Sequence, residues 1–330
     1  MGNISLWFRM YGLPLTLLIC FLLLALTSDL KVFRNLPLPN TTTVVRSGLQ
    51  TKSQTTQNTP NLVQEPFDRL SFLSWELHEG FPRSHQSGRP RLLIAQTISN
   101  FYAPLLDAGQ PVNQAYARVY GHDYVVARGI YLVNERINET QLTAPDSRAS
   151  YNKIALLSYA LREGKYDKLL VLDSDAVISD FDIDFATFGL DPEVMLFAQA
   201  VDPSKAVNYW DINNGVTLWN LHHGLFVPTW YEWYSRSMKN VYRGNNDKDQ
   251  GILHSILRQM PNESRPVRRV KHFCCYRGAL IQHFIRKNTT DFMVLAKSRL
   301  ENLKADANYT LEYYTTLINQ TINQSALTVD

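Results

Sequence analysis

The run KLLVLDSDAVI at residues 168–178 constrains this chain more than any other segment. KLLVL reads as a strand buried on both faces, because it shows no alternation of apolar and polar residues. Asp173 and Asp175 arrive at its carboxyl end, where open α/β sheets hold their ligands. Residues i and i+2 of extended chain point the same way. Two carboxylates so placed repel unless a cation lies between them, and oxygen donors of this kind suit Mg²⁺ or Mn²⁺. The competing reading is that Asp173-Ser174-Asp175 only turns a strand into a loop; the buried run immediately before it favours the metal.

Around this run the pattern alternates strand and helix. Leu92–Ile98 (LLIAQTI) reads as a buried strand, and Ala103–Tyr120 carries helical spacing that stops at Gly121. Strand-like character returns at residues 123–133. Ser150 is placed to cap a helix ending at Gly164. Strands are expected at 194–199, 215–219 and 278–283, and helices at 229–242 and 250–260. This order implies an α/β fold, a mostly parallel sheet flanked by helices. The helix at 229–242 is crowded with aromatics, but Trp230, Tyr234, Met238 and Val241 follow a helical core stripe, so core is the default over a sugar-stacking face.

The N-terminus has a different character. Residues 10–27 (MYGLPLTLLICFLLLALT) carry no charge and are just long enough to span a bilayer. A retained anchor competes with a signal peptide cut after Ala25 or Thr27; the length of the apolar core favours the anchor. Beyond it, N-x-S/T acceptors occur at Asn40, Asn138, Asn262, Asn288, Asn308, Asn319 and Asn323. Their number favours a lumenal body modified in the secretory pathway. Residues 36–89 are rich in Thr, Gln, Asn, Ser and Pro and bury too little apolar surface to offset their ordering entropy. The layout expected is a cytosolic tail (1–9), an anchor (10–27), a stem (28–89), a catalytic domain (90–300) and a C-terminal tail (301–330). Within the stem, residues 67–77 (FDRLSFLSWEL) read as a helix packing on the body.

Charge and cysteine content exclude some alternatives. A net charge of +3 with no clustered Lys/Arg block gives no basis for nucleic-acid binding. Cys20 lies in the apolar span, leaving Cys274 and Cys275. A disulfide between neighbours is uncommon, so the pair is expected to be a buried structural element, with no spacing of a zinc site.

Four segments, YARVYGHDYVVARG, YNKIALLSYALREGKYDKLLVLDSDAVI, DINNGVTLWN and NDKDQGILHSIL, resemble the Golgi galactosyl-, mannosyl- and xylosyltransferases of GT-A fold, over residues 91–286. The order of LDSDA, NNGV and DQ carries most of the resemblance. His122, Tyr151-Asn152 and Val171 depart from the family's usual residues, which leaves the donor open. The resemblance implies transfer of a sugar from a UDP- or GDP-sugar donor to a glycan acceptor at the Golgi membrane, with retention of anomeric configuration. It makes Asp173 and Asp175 the Mn²⁺ (or Mg²⁺) ligands and Ser174 a donor contact. Asn213, Asn214 and Gly215 then line the donor-sugar pocket, although Asn-Gly alone also reads as a turn. Asp249 and Gln250 fall near the reacting sugar. A late histidine completes the metal site, His283 at the end of a strand or, alternatively, His272. Lys153 faces the diphosphate, or is an exposed helix lysine.

Two rival functions compete with this one. A haloacid-dehalogenase-type phosphatase would use the strand-end aspartates as nucleophile and acid, but the later aspartate pair it needs is not found. A glycan-binding scaffold on the same fold would not need the intact DSD and DQ. The sequons generate a direct test: glycosidase treatment of the protein from secretory-competent cells should increase its gel mobility. An unchanged band, with protease sensitivity in sealed microsomes, would contradict the lumenal layout.

Overall fold

The computed structural model describes residues 64–80, 89–99, 102–133, 147–202, 208–243, 248–260, 266–275, 279–284 and 300–316. The elements below belong to one compact unit, Val44–Tyr314, apart from the end of the last helix. The expected span at residues 10–27 lies outside the described residues. Among the described residues no helix is long and apolar enough to cross a membrane.

In chain order the elements are α1 (Glu65–Asp68), a 3-10 turn (Arg69–Phe72), β1 (Leu73–His78), β2 (Leu92–Ile98), α2 (Ala103–Tyr120) and β3 (Asp123–Gly129). A second 3-10 turn (Ser147–Tyr151) leads into α3 (Asn152–Glu163), followed by β4 (Lys168–Leu172), β5 (Ala176–Ile178), β6 (Leu196–Ala200) and β7 (Ile212–Asn220). Then come α4 (Phe226–Tyr242), α5 (Asp249–Arg258), β8 (Val267–Arg269) and β9 (Ile281–His283), and a helix α6 over residues 300–316.

Seven strands form one sheet in the order β1-β3-β2-β4-β7-β6-β8. β2 is parallel to β3 and β4, and β6 to β8, whereas β1 and β7 run against their neighbours. Most strands thus share one direction, as the alternating pattern implied. β5 and β9 make a separate antiparallel pair.

Side chains leave the sheet alternately, and each face has its own core. Leu93, Ala95, Val125, Ala127, Leu169 and Val171 pack on the side of α3, α4 and α5, with Trp219, Trp230 and Trp233. Leu92, Ile94, Tyr124, Val126, Leu170 and Leu172 pack on the opposite side, with Tyr116 of α2 and Ala307 of α6. Gly121 and Gly164 end α2 and α3 in the left-handed conformation at φ 68° and 62°, where a Cβ is unfavourable.

Several sequence expectations are corrected. Residues 67–77 are not one helix: a short turn of helix passes into β1, which pairs antiparallel with β3 along Leu73–His78. A short apolar run does not declare its own period, and the open edge of β3 decides it. The segment expected as stem therefore supplies an edge strand. Residues 301–316, within the stretch expected as tail, continue a helix from Leu300 that buries Leu303, Ala307 and Thr310 one turn apart. Asn213-Asn214-Gly215 is not a turn but lies inside β7. Ser150 does not cap α3, whose cap position is Tyr151. The aromatic stripe of α4 is core, with Trp230, Tyr234, Met238 and Val241 all buried. Of the acceptor asparagines, Asn308 lies exposed on α6 and the others lie outside the described residues.

Deletion of residues 1–60 should leave a cooperatively melting domain, whereas deletion through His78 should not. The second cut also removes buried Leu70 and Leu73, each worth about 1.5–3 kcal/mol. Equal melting temperatures for the two truncations would show that β1 contributes nothing to the sheet.

Candidate functional site

The site begins where β4 stops. Asp173 follows Leu172, and its backbone N–H donates to the Gly215 carbonyl on neighbouring β7 at 2.7 Å. Residues 174–175 turn, and the chain re-enters extended structure as β5. β5 pairs with β9 so that Ala176 lies opposite His283, and the Phe284 N–H donates to the Asp175 carbonyl at 3.1 Å. Three segments far apart in the chain therefore meet at one point: the end of β4, the start of β7 and the end of β9.

A buried polar network fixes the turn from beneath. The Gln96 amide donates to the carbonyls of Asp173 and Ala176 at 2.9 and 3.2 Å. Asn113 donates to Gln96 Oε1 and to the Ala176 carbonyl at 2.8 and 3.0 Å, and it accepts the Ile178 N–H at 2.9 Å. The Tyr124 hydroxyl donates to Gln96 Oε1 at 2.5 Å. Gln96 and Asn113 are fully buried, and leaving such a group unpaired costs about 1–3 kcal/mol. These residues lie on β2, α2 and β3, and nothing in their local spacing marks them in the sequence.

Asp173, Asp175 and His283 converge. His283 Nε2 lies 3.4 Å from Asp173 Oδ2 and 3.4 Å from Asp175 Oδ1, and one ligand atom from each residue falls within 4.8 Å of the others. Asp175 is buried, whereas the Asp173 side chain keeps 30% of its surface open. A Cβ on Gly215 would come within 2.4 Å of both Asp173 Oδ2 and His283 Cε1. Only glycine leaves that cradle open. Two carboxylate oxygens and one imidazole nitrogen form a donor set that fits a divalent ion such as Mn²⁺ or Mg²⁺. His272, the alternative ligand, is exposed in a left-handed turn at φ 63° and outside this cluster.

Lys153 is not an exposed helix lysine. It is buried, and its ammonium contacts Asp173 Oδ1 at 2.9 Å and Asp249 Oδ2 at 3.2 Å. Asn214 Nδ2 donates to the same Asp249 oxygen at 2.7 Å, and Trp233 Nε1 donates to the Asp249 carbonyl at 3.1 Å. The Asn214 N–H donates to Gln250 Oε1 at 3.1 Å, and Asn213 Oδ1 accepts the Gly215 N–H at 2.8 Å. Asp249 and Gln250 open α5, where the positive helix end favours a carboxylate. The site residues singled out in the sequence are thus brought together, with the exception of His272. No contact of the Ser174 side chain stands out.

Burial alone would raise the Asp173 carboxyl, but the Lys153 ammonium, with His283, holds it well below the usual carboxylate range. Burial would lower the His283 imidazole; Asp175 and Asp173 outweigh it and push it up to about 9. Burial would also lower Lys153, and Asp173 and Asp249 drive it above its ordinary value instead. Asp173, His283 and Lys153 are each shifted toward the charged form.

On the far side of His283, the structure joins Cys274 and Cys275 in a disulfide, where the sequence reading expected a buried structural pair without a bond between neighbours. Cys275 takes a left-handed φ of 79°, which turns the chain at the pair. Cys275 Sγ lies 3.7 Å from His283 Nδ1.

No family model and no curated protein matches the chain. Among solved structures it is similar to a glycosyltransferase involved in the glycosylation of the major capsid of PBCV-1, at 14% identity over 66% of this chain and 100% of that one, with a TM-score of 0.46. It is also similar to the glycosyltransferase GlyE of Streptococcus pneumoniae TIGR4, at 14% identity over 69% of this chain and 64% of that one, with a TM-score of 0.40. A third is the galactosyltransferase LgtC in complex with donor and acceptor sugar analogs, at 16% identity over 64% and 95%, with a TM-score of 0.35. Likeness at this level says nothing of activity, which rests on the chain's own residues.

Gly215→Ala should leave the fold intact, because the atoms nearest the new methyl are side-chain atoms of Asp173, His283 and Asn213. Displacing them should weaken Mn²⁺ binding at least ~10-fold, about 1.4 kcal/mol, as read from the signal of free Mn²⁺ in electron paramagnetic resonance. Unchanged affinity would place the ion elsewhere.

Proposed function

We propose that this chain is a divalent-metal-dependent glycosyltransferase that moves a sugar from a nucleotide-sugar donor, UDP- or GDP-linked, to a glycan acceptor. The observation that supports it most is the convergence of Asp173, Asp175 and His283 around the opening that Gly215 leaves, with Lys153, Asp249 and Asn214 bonded beside it. A strand-end crevice of this kind is where open α/β sheets take nucleotides.

Each residue has a task in this reading. Asp173, Asp175 and His283 hold Mn²⁺ or Mg²⁺, which supplies positive charge against the donor diphosphate and the departing nucleotide. Lys153 fixes Asp173 and Asp249 in one arrangement and adds a positive charge to the phosphate side of the site. Asn213 and Asn214 present amides that can both donate to and accept from sugar hydroxyls. Asn214 and Lys153 together orient the Asp249 carboxylate, and Gln250 is tied to the same backbone. The resemblance of the DQ pair to the glycosyltransferases implies that Asp249 and Gln250 lie near the reacting sugar. Pre-set dipoles and charges of this sort lower a barrier without reorganising during the reaction.

Retention of configuration, residence in the Golgi membrane as a single-pass type II protein and a lumenal catalytic domain belong to the same proposal. The apolar run at 10–27 and the sequons support the last two.

Turnover of a nucleotide-sugar panel, with and without Mn²⁺, tests the reading. Chelator should abolish transfer and Mn²⁺ restore it. Asp175→Asn should lose at least ~10²-fold in turnover, equivalent to about 2.7 kcal/mol of barrier, with the cooperative melt retained. His283→Ala should weaken the metal dependence and His272→Ala should not. Normal donor turnover by Asp173→Asn and Asp175→Asn in chelator would overturn the metal mechanism.

A further inference from the structure

His283 stands between two sets of ligand atoms. Its Nε2 faces Asp173 and Asp175, while its Nδ1 faces Cys275 Sγ at 3.7 Å. Ligand atoms of Cys274, Cys275 and His283 also lie within 4.8 Å of one another, as those of the carboxylate cluster do. We propose that Cys274, Cys275 and His283, once the disulfide is reduced, form a second site for a thiophilic divalent cation such as Zn²⁺, and that filling it takes His283 away from Asp173 and Asp175.

The spacing suits such an ion. With Zn–S of about 2.3 Å and Zn–N of about 2.0–2.1 Å at a tetrahedral angle, a sulfur and a nitrogen on one zinc lie about 3.6 Å apart. Cys275 Sγ and His283 Nδ1 are already 3.7 Å apart. The main chain that carries them is held independently of the sulfur–sulfur bond. The Cys274 N–H donates to Gln199 Oε1 at 3.0 Å, the Cys275 N–H to the Ile281 carbonyl at 3.2 Å, and the Ile281 N–H to the Phe273 carbonyl at 3.1 Å. Ile281 opens the strand that ends in His283. Reduction therefore requires the two sulfurs to rotate apart and leaves the strand in place.

The chemistry balances with a dithiol as reductant. Its thiolate attacks Cys275, the less buried of the pair, and Cys274 leaves as a thiol after taking a proton. The second thiol of the reductant then displaces Cys275, and the reductant departs as its own disulfide. Two electrons and two protons reach the cysteines. Zn²⁺ binding releases those two protons to solvent as the sulfurs become thiolate ligands.

Exclusion between the sites follows from the imidazole itself. A neutral ring has one lone pair and one N–H. If Nδ1 binds the soft cation, the proton sits on Nε2 and points at the carboxylates, where it donates to them and cannot ligate. If Nε2 serves the carboxylate site, Nδ1 carries the proton and faces sulfur. Sulfur ligands select Zn²⁺, and carboxylates select Mg²⁺ or Mn²⁺, so the redox state of one cysteine pair decides which cation His283 serves.

The test uses the full chain with Cys20→Ser, so that only this pair contributes thiols, and Co²⁺ as the probe for the soft site. Protein reduced by a phosphine should gain a sulfur-to-cobalt charge-transfer absorption in the near ultraviolet, saturating at one Co²⁺ per chain. The same protein left oxidised should show none, which controls for folding without further mutation. The Cys274→Ser/Cys275→Ser variant should also show none after reduction. One equivalent of Zn²⁺ bound at the reduced pair, shown by its displacement of the cobalt band, should lower the Mn²⁺ affinity at least ~10-fold relative to the zinc-free oxidised protein. Absence of the band in the reduced protein, or its persistence in the double variant, would reduce the pair to an ordinary structural disulfide. Unaltered Mn²⁺ affinity with Zn²⁺ bound would overturn the exclusion. The cobalt band decides the soft site alone, whereas Mn²⁺ binding by the oxidised protein tests the separate metal reading proposed above.

Discussion

Everything at this site depends on holding like charges together. Asp173, Asp175 and Asp249 are drawn from two distant parts of the chain, and the Lys153 ammonium bonds to Asp173 and Asp249 at once. Lys153 is buried, so water contributes little to its stability there. Its two carboxylates must compensate for lost hydration, and they do so only while α3, β4 and α5 keep their mutual positions. Removing one partner of a buried ion pair typically costs about 3–5 kcal/mol, because the remaining charge is left without a counter-ion. His283 plays the matching part on the other side, where two carboxylates raise its affinity for a proton. A cation bound among Asp173, Asp175 and His283 replaces that proton.

The sheet order explains how these groups reach each other. β7 runs antiparallel between β4 and β6, so the start of β7 lies against the end of β4. Gly215 thereby meets Asp173, and Asn213 and Asn214 come with it. The separate β5–β9 pair does the same for His283, since Ala176 and His283 are opposite each other. Behind the turn, Gln96 and Asn113 replace a hydrophobic contact with a satisfied hydrogen-bond network. A network of this kind specifies one arrangement, because every alternative leaves a buried group unpaired.

Much of this arrangement is legible in the amino-acid sequence, and the reason differs by element. The strand KLLVL with two aspartates at its end is a local signal, as are the left-handed glycine stops at Gly121 and Gly164. These are set by neighbours in sequence. The segments that depart from expectation are set by neighbours in space. Residues 67–77 suit helix or strand equally until the open edge of β3 selects a strand. Asn213-Asn214-Gly215 carries turn propensity, yet it is held extended inside β7 between the paired residues Ile212 and Val216, with the Gly215 carbonyl accepting the Asp173 N–H. Lys153 lies 96 residues from Asp249, so no spacing rule could identify its burial. The proximity of Cys275 to His283 likewise depends on β9 folding back against the cysteine pair.

Metal-dependent transfer at this site requires that one divalent ion be held by Asp173, Asp175 and His283. Anomalous scattering at the manganese edge, from crystals of the protein soaked in Mn²⁺, tests this most directly. One strong peak should appear in contact with both carboxylates and with His283 Nε2. A strong peak elsewhere with these three residues unliganded, or no peak at saturating Mn²⁺, would contradict it.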